Sequence, residues 1–325
     1  MTKQVLGKSP FALLRVLADG EFHSGEALAS RFGLSRGAVW YRVRHIEALG
    51  VRVFKVRGRG YRLPQPLDLI DAKRLSDMLS RSAPRLAVEV ADECGSTNAE
   101  LAARDDAPQG AVLACEHQVA GRGRRGNAWR SAVGSSLTFS LKWRFSHGAA
   151  ALSGLSMAVS VAVVAALEEL GCRGIHLKWP NDLLHAGGKL GGILVEVRGD
   201  PQGPSTAVIG VGLNVKLAPE VRATIDQPVS DIQSLLATPA DRTAILAAIL
   251  AQLHAMLERY EADGFAPFRN GWQERDAHRG RSVSIRIGER EIARGTAQGI
   301  AEDGALILAT ADGPRSFYSG EVSLR

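Results

Sequence analysis

The chain has 325 residues, a formal net charge of +6 and 45% hydrophobic residues, long enough for two or three domains and apolar enough to fill their cores. Its three cysteines, Cys94, Cys115 and Cys172, lie far apart with no Cys-x-x-Cys pair, which argues against a disulfide framework or zinc site and fits a reducing cytoplasm. No opening segment joins a basic start to an unbroken apolar run, and the most apolar stretch, Ala149 to Leu167, reads as a buried helix rather than a membrane span.

The charge is uneven. Through Arg62, twelve Lys or Arg stand against four acidic residues, a net +8 that leaves −2 for the remainder. Such an excess suits contact with nucleic-acid phosphates or a merely solvated basic face, and charge alone does not separate the two. Phe11, Leu13, Leu14 and Leu17 have helical spacing, and Asp19-Gly20 stops that helix. Ser24 is placed to cap a second helix carrying Leu28 and Phe32, with Gly33 as its stop. Ser35 can cap a third, whose inner face is Val39, Val43, Ile46 and Leu49. Its outer face carries Arg36, Trp40 and Arg44, with Tyr41 beside them, as a helix that reads the major groove requires. Val51 to Val56 alternates like a strand, and the turn Arg57-Gly-Arg-Gly60 carries Arg57 and Arg59. A winged helix-turn-helix is the economical reading; a small helical protein-interaction module is the alternative. Pro64 and Pro66 mark a linker.

From Leu67 onward helical and strand-like segments mix without strict alternation, predicting an α+β catalytic core. Ser96-Thr97-Asn98 follows a strand and precedes a helix, so its hydroxyls either cap that helix or meet a ligand. Gly121-Arg-Gly-Arg-Arg-Gly126 follows the strand Ala111 to Glu116. It matches Gly-x-Gly-x-x-Gly, yet no helix begins there and no acidic residue stands near Ser146, so a dinucleotide site is disfavoured. Its three arginines offer a cationic clamp for an acid or a phosphate, or form a basic surface loop. Lys178-Trp-Pro-Asn-Asp182 puts Asn181 and Asp182 at the tip of a turn, suited to ribose, adenine or magnesium, or to the turn alone. Gly187-Gly-Lys-Leu-Gly-Gly192 sets Lys189 on a hairpin where glycines permit close approach. No Gly-Lys-Ser/Thr phosphate loop, Ser-His-Asp order or metal-ligand cluster occurs. After about Arg275, Val283, Ile285 and Ile287 alternate and Asp303-Gly304 signals a hairpin, predicting a small β-barrel-like domain.

Together these residues resemble the bacterial biotin protein ligases of the two-function type that also represses the biotin operon. The resemblance rests on Ser96-Thr97-Asn98, Gln118, Gly121 to Gly126, Lys178 to Asp182, Lys189 to Glu196, Gly210-Val-Gly-Leu-Asn214 and Gly320-Glu-Val-Ser-Leu-Arg325. At the N-terminus, Gly20 to Gly25, Leu34-Ser-Arg36 and Gly58-Arg-Gly-Tyr61 look like the repressor's winged domain. It implies three domains: a winged helix-turn-helix with linker over 1–66, a class II synthetase-like α/β core over 67–275 and an SH3-like β-barrel over 276–325. It further implies a two-step reaction, in which biotin's carboxylate attacks the α-phosphate of ATP with Mg2+, and a lysine of a biotin carboxyl carrier protein of acetyl-CoA carboxylase then takes the biotinyl group. By that resemblance Lys189, Arg122 and Arg124 are catalytic, and Ser96, Thr97, Asn98, Gln118, Arg122, Gly123, Arg124 and Lys189 bind biotin. Arg125, Trp129, Lys178, Asn181, Asp182, Asn214 and Arg325 bind nucleotide, while Ser35, Arg36, Trp40, Tyr41, Arg44, Arg57 and Arg59 meet operator DNA. No fixed protein metal site is expected. A homodimer when adenylate-bound, a cytoplasmic location and a loop that folds over the adenylate complete the expectation. Lipoate ligation and a ligand-sensing transcription factor without turnover are the competing readings.

Overall fold

The structure, a computed structural model, describes residues 9–324. Three short helices come first: α1 (Pro10–Leu17), α2 (Gly25–Phe32) and α3 (Arg36–Ala48). Each starts on a serine whose hydroxyl accepts a backbone N–H: Ser9 from Phe11, Ser24 from Ala27 and Ser35 from Ala38. Their apolar faces, with Phe11, Leu14, Leu28, Val39, Val43 and Ile46, close a small core. Strands β1 (Phe54–Val56) and β2 (Gly60–Arg62) form the antiparallel wing. The wing's first strand is shorter than the alternation from Val51 predicts. Val53 is buried in the helical core instead of pairing, so the ladder begins only at Phe54. His23 adds a bridge to Tyr61 beside the wing.

After the linker come α4 (Ala72–Ser82), β3 (Ala87–Cys94), α5 (Thr97–Ala102), β4 (Ala111–Gln118) and β5 (Ser136–Phe145). Then follow α6 (Leu155–Glu169), β6 (Ile175–Lys178), β7 (Asp182–His185), β8 (Gly188–Gly199), β9 (Ser205–Asn214), the single turn α7 (Pro219–Arg222), α8 (Arg242–Asp263) and α9 (Ala266–Glu274). Seven strands make one sheet in the order β3-β4-β5-β9-β8-β7-β6, parallel only between β3 and β4. One face packs on α6 and α8, both rich in buried Ala, Val, Ile and Leu; the other carries α5 and the cavity described below. β4 and β5 are buried along nearly their whole length, as strands covered on both faces must be.

The stretch 149–169 is long and apolar enough to cross a membrane by length and composition, and 61% of its most apolar window is buried inside the protein. It is not one continuous α-helix, as its composition suggests. A 3-10 turn over Ala149–Leu152 ends at Gly154, whose φ of 84° is left-handed and whose missing Cβ would fall 2.5 Å from the Phe265 ring.

The last strands, β10 (Ser282–Ile287), β11 (Arg290–Ile300), β12 (Leu306–Thr310), β13 (Gly313–Phe317) and β14 (Glu321–Leu324), form an antiparallel sheet ordered β13-β12-β11-β10-β14. The fold is therefore α+β: helix-turn-helix, α/β core and C-terminal β domain. All three cysteines are free and buried.

The units are tied by polar contacts. Arg15 of α1 reaches Asp92 of β3 at 2.9 Å, and the linker leucine Leu67 donates its N–H to Ala18. Deeper lies a buried ion pair, Arg242 to Glu116 at 2.7 Å, with side chains 1% and 0% exposed. Arg242 also donates to the Ser136 and Asp68 carbonyls, and Glu116 accepts from the Ile70 N–H, so the linker, β4, β5 and α8 meet at one satisfied network.

Candidate active site and nucleic-acid interface

One cavity of about 560 Å³ opens between the sheet's α5 face, the glycine-rich loop and β14. Every described residue named above for biotin or nucleotide lines it, from Ser96, Thr97, Asn98 and Gln118 through the loop to Lys178, Asn181, Asp182, Lys189 and Asn214. Arg325 lies outside the described residues.

The two ends of the cavity differ chemically. At one, Ser96 begins α5 but its hydroxyl does not cap the helix. Thr97 instead donates its N–H and hydroxyl to Gln118 Oε1, at 2.7 and 3.1 Å. Ser140 Oγ stands 2.7 Å from Thr97 Oγ1 and 2.5 Å from Asn98 Oδ1. Asn98 Nδ2 in turn donates to Glu196 Oε2 at 2.9 Å, and the same oxygen takes Arg122 at 2.8 Å. This end is a fixed set of amides and hydroxyls at the start of α5 and on buried strands, the equipment for orienting a small neutral polar group. Gly210 is obligatory there, because a Cβ would stand 2.2 Å from Asn98 Oδ1.

The other end is cationic. Lys189 Nζ lies 2.8 Å from Asp182 Oδ1, and both side chains are mostly buried. Lys189 is not on the hairpin turn, as the flanking glycines suggest; that turn is Ala186-Gly187, both at positive φ, and Lys189 lies in β8 opposite Leu184. This puts the side chain on a strand, held further by the Asn214 amide donating to the Lys189 carbonyl. Asn181 donates to the Ile193 carbonyl at 2.9 Å while its Oδ1 accepts from Arg124 at 3.3 Å. Burial and the neighbouring Arg125 lower the Arg124 guanidinium's pKa; an arginine stays cationic at neutral pH regardless.

The glycine-rich loop is an irregular hairpin. Arg122 bridges Ala128, Trp129 donates its N–H to Gly121, and a 3-10 turn holds Arg125 at φ 57°. Arg125 donates to the Arg286 carbonyl in β10, tying the loop to the C-terminal domain. The Trp129 ring lies over Gly212, where a Cβ would be 2.6 Å from the ring. Sequence reading missed several lining groups, Thr224 to Gln227 and Val229 among them, and the supporting Ser140, whereas Gly320 to Val322 belong to the closing segment that carries part of the resemblance. Ser140 belongs to the alternating polar face of β5, with Ser136, Thr138 and Lys142, a pattern visible in the sequence.

On the first domain, Trp40 and Tyr41 are 41% and 65% exposed and meet edge to face at 5.1 Å. Arg36, Arg44 and Arg57 are exposed, Arg44 pairing with Glu47 at 3.0 Å. Arg59 sits 4.0 Å over the Phe22 ring, while Ser35 is occupied as the α3 cap.

Sequence comparison matches an HTH domain over residues 11–62, the biotin/lipoate A/B protein ligase family over 95–214 and the biotin protein ligase C-terminal domain over 278–325. Those matches define a class: a protein ligase core with a helix-turn-helix in front of it. The bifunctional ligase/repressor BirA of Salmonella typhimurium is 38% identical over 317 residues, covering 97% of each chain, and that of Escherichia coli is 37% identical over the same coverage. Among solved structures, the biotin protein ligase from Aquifex aeolicus in complex with biotin and ATP superposes with a TM-score of 0.62 at 27% identity, covering 73% of this chain and 98% of that one. The chain belongs to the bifunctional ligase/repressor family of biotin protein ligases.

Proposed function

We propose that this protein forms biotinyl-5′-AMP from biotin and ATP, transfers the biotinyl group to a lysine of a biotin carboxyl carrier protein, and binds operator DNA through its winged domain. The observation that carries the reading is one cavity with a hydrogen-bonding end at Thr97, Asn98 and Gln118, a cationic end at Lys189, Arg124 and Arg125, and Arg122 paired to Glu196 beside the first. Biotin offers the same polarity, a neutral fused ring at one end and a carboxylate at the other.

In the first step a carboxylate oxygen bonds to the α-phosphorus, the bond from that phosphorus to the bridging oxygen breaks, and pyrophosphate leaves with the electron pair. Two anions must approach, so Lys189 and Arg124 stabilise charge that grows at the reacting phosphate. Trp129 covers the nucleotide, with Arg125, Lys178, Asn181, Asp182, Asn214 and Arg325 around it. In the second step the acceptor amine attacks the acyl carbon, AMP leaves, and the amine loses a proton. Closure of the glycine-rich loop keeps water from the mixed anhydride.

Mg2+ fits as a nucleotide-borne ion. Among the described residues no three His, Cys, Asp or Glu side chains cluster as a metal cage, while Asp182 stands in the cavity and Mg2+ usually binds through phosphates and few carboxylates. When bound, it supplies charge neutralisation at the phosphates.

The core is read as class II synthetase-like, with domain boundaries near 66 and 275. The SH3-like barrel is supported by chain length: only Tyr318 to Gly320 separate β13 from β14, which are the outer strands of the sheet. Four Cα steps reach about 15 Å, whereas the outer strands of a flat five-stranded sheet lie about 19 Å apart, so the sheet curls. Ser35, Arg36, Trp40, Tyr41, Arg44, Arg57 and Arg59 are assigned to DNA, with an adenylate-bound homodimer joining two half-sites in the cytoplasm.

The test incubates the protein with biotin, Mg-ATP and an acceptor domain, following pyrophosphate and acceptor mass. A biotin-sized gain, lost in Lys189→Ala, is expected. A gain with lipoate alone overturns the substrate, and neither product overturns the ligase in favour of a DNA-binding sensor.

A further inference from the structure

A second, smaller cavity of about 180 Å³ lies beside the first, lined by strands β5, β8 and β9 and the end of α5. The strand register builds it as two cross-strand rows. Lys142, Val208 and Glu196 stand abreast in one, and Arg144, Thr206 and Arg198 in the next. Neighbours in such a row have Cβ atoms about 5 Å apart, so two guanidinium groups flank the Thr206 hydroxyl with an ammonium one row behind.

The three cations are solvated but not neutralised. Lys142, only 5% exposed, donates to the Arg104 carbonyl at 2.5 Å; Arg144 donates to the carbonyls of Asp105 and Ala107; Arg198 donates to that of Ala102. All four acceptors are neutral peptide oxygens. Among the described residues no carboxylate stands within ion-pair distance of any of the three. Two carboxylates line the same cavity: Glu196 spends its own on Asn98 and Arg122, and the exposed Asp105 makes no ion pair with any of the three cations. An ammonium has three donors and a guanidinium five, so most of these N–H groups have no protein acceptor. Lys142 is buried while Arg144 and Arg198 are exposed, so three cations converge at the mouth of one pocket and raise a local positive potential that attracts an anion with several oxygens.

We propose that this cavity is a binding site for a phosphate-type tetrahedral oxyanion, held by Arg144, Arg198, Lys142 and the Thr206 hydroxyl. Two forked donors, a point charge and a neutral hydroxyl converging from three adjacent strands suit an anion with several oxygens. Free phosphate and pyrophosphate share that chemistry.

Calorimetry at low salt tests it on the full chain saturated with a non-hydrolysable biotinyl-adenylate analogue, which fills the biotin and α-phosphate positions of the larger cavity; an anion bound at the vacated pyrophosphate position there is insensitive to Arg198→Ala and Thr206→Val. Inorganic phosphate and pyrophosphate are titrated separately. Saturable one-to-one binding of either is expected, weakened at least about tenfold by Arg198→Ala, the loss of charge-assisted bonds, and measurably by Thr206→Val, which keeps the side chain's shape. Binding of phosphate assigns the site to the free ion; binding of pyrophosphate alone assigns it to the larger anion. Failure of the analogue to bind counts against the ligase reading, not this one, and the same titrations and variants then run on the free protein. No saturable binding of either anion in the millimolar range, or binding that both substitutions leave unchanged, overturns the proposal.

Discussion

Replacing Lys189 by alanine separates two electrostatic effects that the structure ties together. Lys189 Nζ stands 2.8 Å from Asp182 Oδ1 with both side chains mostly buried, so the substitution removes a cation and also strips a carboxylate of its partner. Removing one preorganised stabiliser of developing charge costs about 3–4 kcal/mol, or roughly 10²–10³ in rate. The orphaned Asp182 then faces incoming carboxylate and phosphate, and even at an effective dielectric of about 20 a unit charge some 4 Å away is worth about 4 kcal/mol before screening. We therefore expect Lys189→Ala to slow adenylation by roughly 10³–10⁴, and Asp182→Asn in that background to restore about tenfold. Single-turnover pyrophosphate release measures the first step; transfer from synthetic biotinyl-AMP to an acceptor domain isolates the second, which should fall less. A Lys189→Ala rate within about threefold of native refutes the role of the cation, and a double variant no faster than the single refutes the role of the orphaned carboxylate.

Arg242→Met should destabilise the core by about 3–5 kcal/mol in urea unfolding by leaving Glu116 buried and unpaired, and adding Glu116→Leu should recover much of the loss. A loss under about 1 kcal/mol contradicts that account. Burial, then Lys178 and Arg281, depress the pKa of His278 to about 4 from 6.5, so it is neutral in the fold and takes a proton more readily when unfolded. Its contribution is fully present above about pH 6.5 and lost as pH falls toward 4, on the order of 3 kcal/mol; in His278→Gln the stability-pH curve should flatten over that window, and an unchanged slope sinks the idea. Arg59→Ala should lower the magnitude of the log-affinity against log-salt slope for operator binding by about one, with little change in sequence preference, as measured by anisotropy at several salt concentrations.

What the sequence reveals divides by range. The three helices of the first domain are legible because each start and stop is local: a serine that caps and an apolar stripe of one helical period. The glycine-rich loop, the Asn181-Asp182 turn and Lys189 stand out for the same reason, as short runs of unusual composition. Reading fails where a distant residue decides. The close packing of Phe265 on Gly154 is set by a residue more than a hundred positions away, and the shortened wing strand depends on the burial of Val53. The placement of Lys189 in β8 depends on the turn having closed two residues earlier. Glu116 and Arg242, the best-buried charges in the core, are separated by 126 positions and neither carries a local pattern. Family resemblance supplied the roles of Ser96, Thr97 and Gln118; periodicity alone left them as a cap and a strand end.

The loop's surroundings limit how it can close. Its far end runs directly into anchored chain. Ser131 Oγ accepts from the Gln118 N–H at 3.0 Å, Val133 is buried in the core of the winged domain, and the missing Cβ of Gly134 would fall 2.3 Å from Leu67 of the linker. Its near end follows Gln118, itself fixed by Thr97. Val119 and Ala120 donate their N–H groups to the Cys94 and Gly95 carbonyls, so any large swing must be taken up between residues 121 and 130, where Arg125 and Gly126 already sit at positive φ and the outward side-chain bonds are Arg122 to Glu196, Arg124 to Asn181, Arg125 to the Arg286 carbonyl and Arg130 to the Thr224 carbonyl. Each of those four contacts uses an arginine on a neutral or singly charged acceptor, so phosphate and carboxylate oxygens can displace them at little cost. The cations that hold the loop are thus, on the proposed function, the groups that an anionic ligand would recruit, and these bonds would be exchanged for bonds to that ligand.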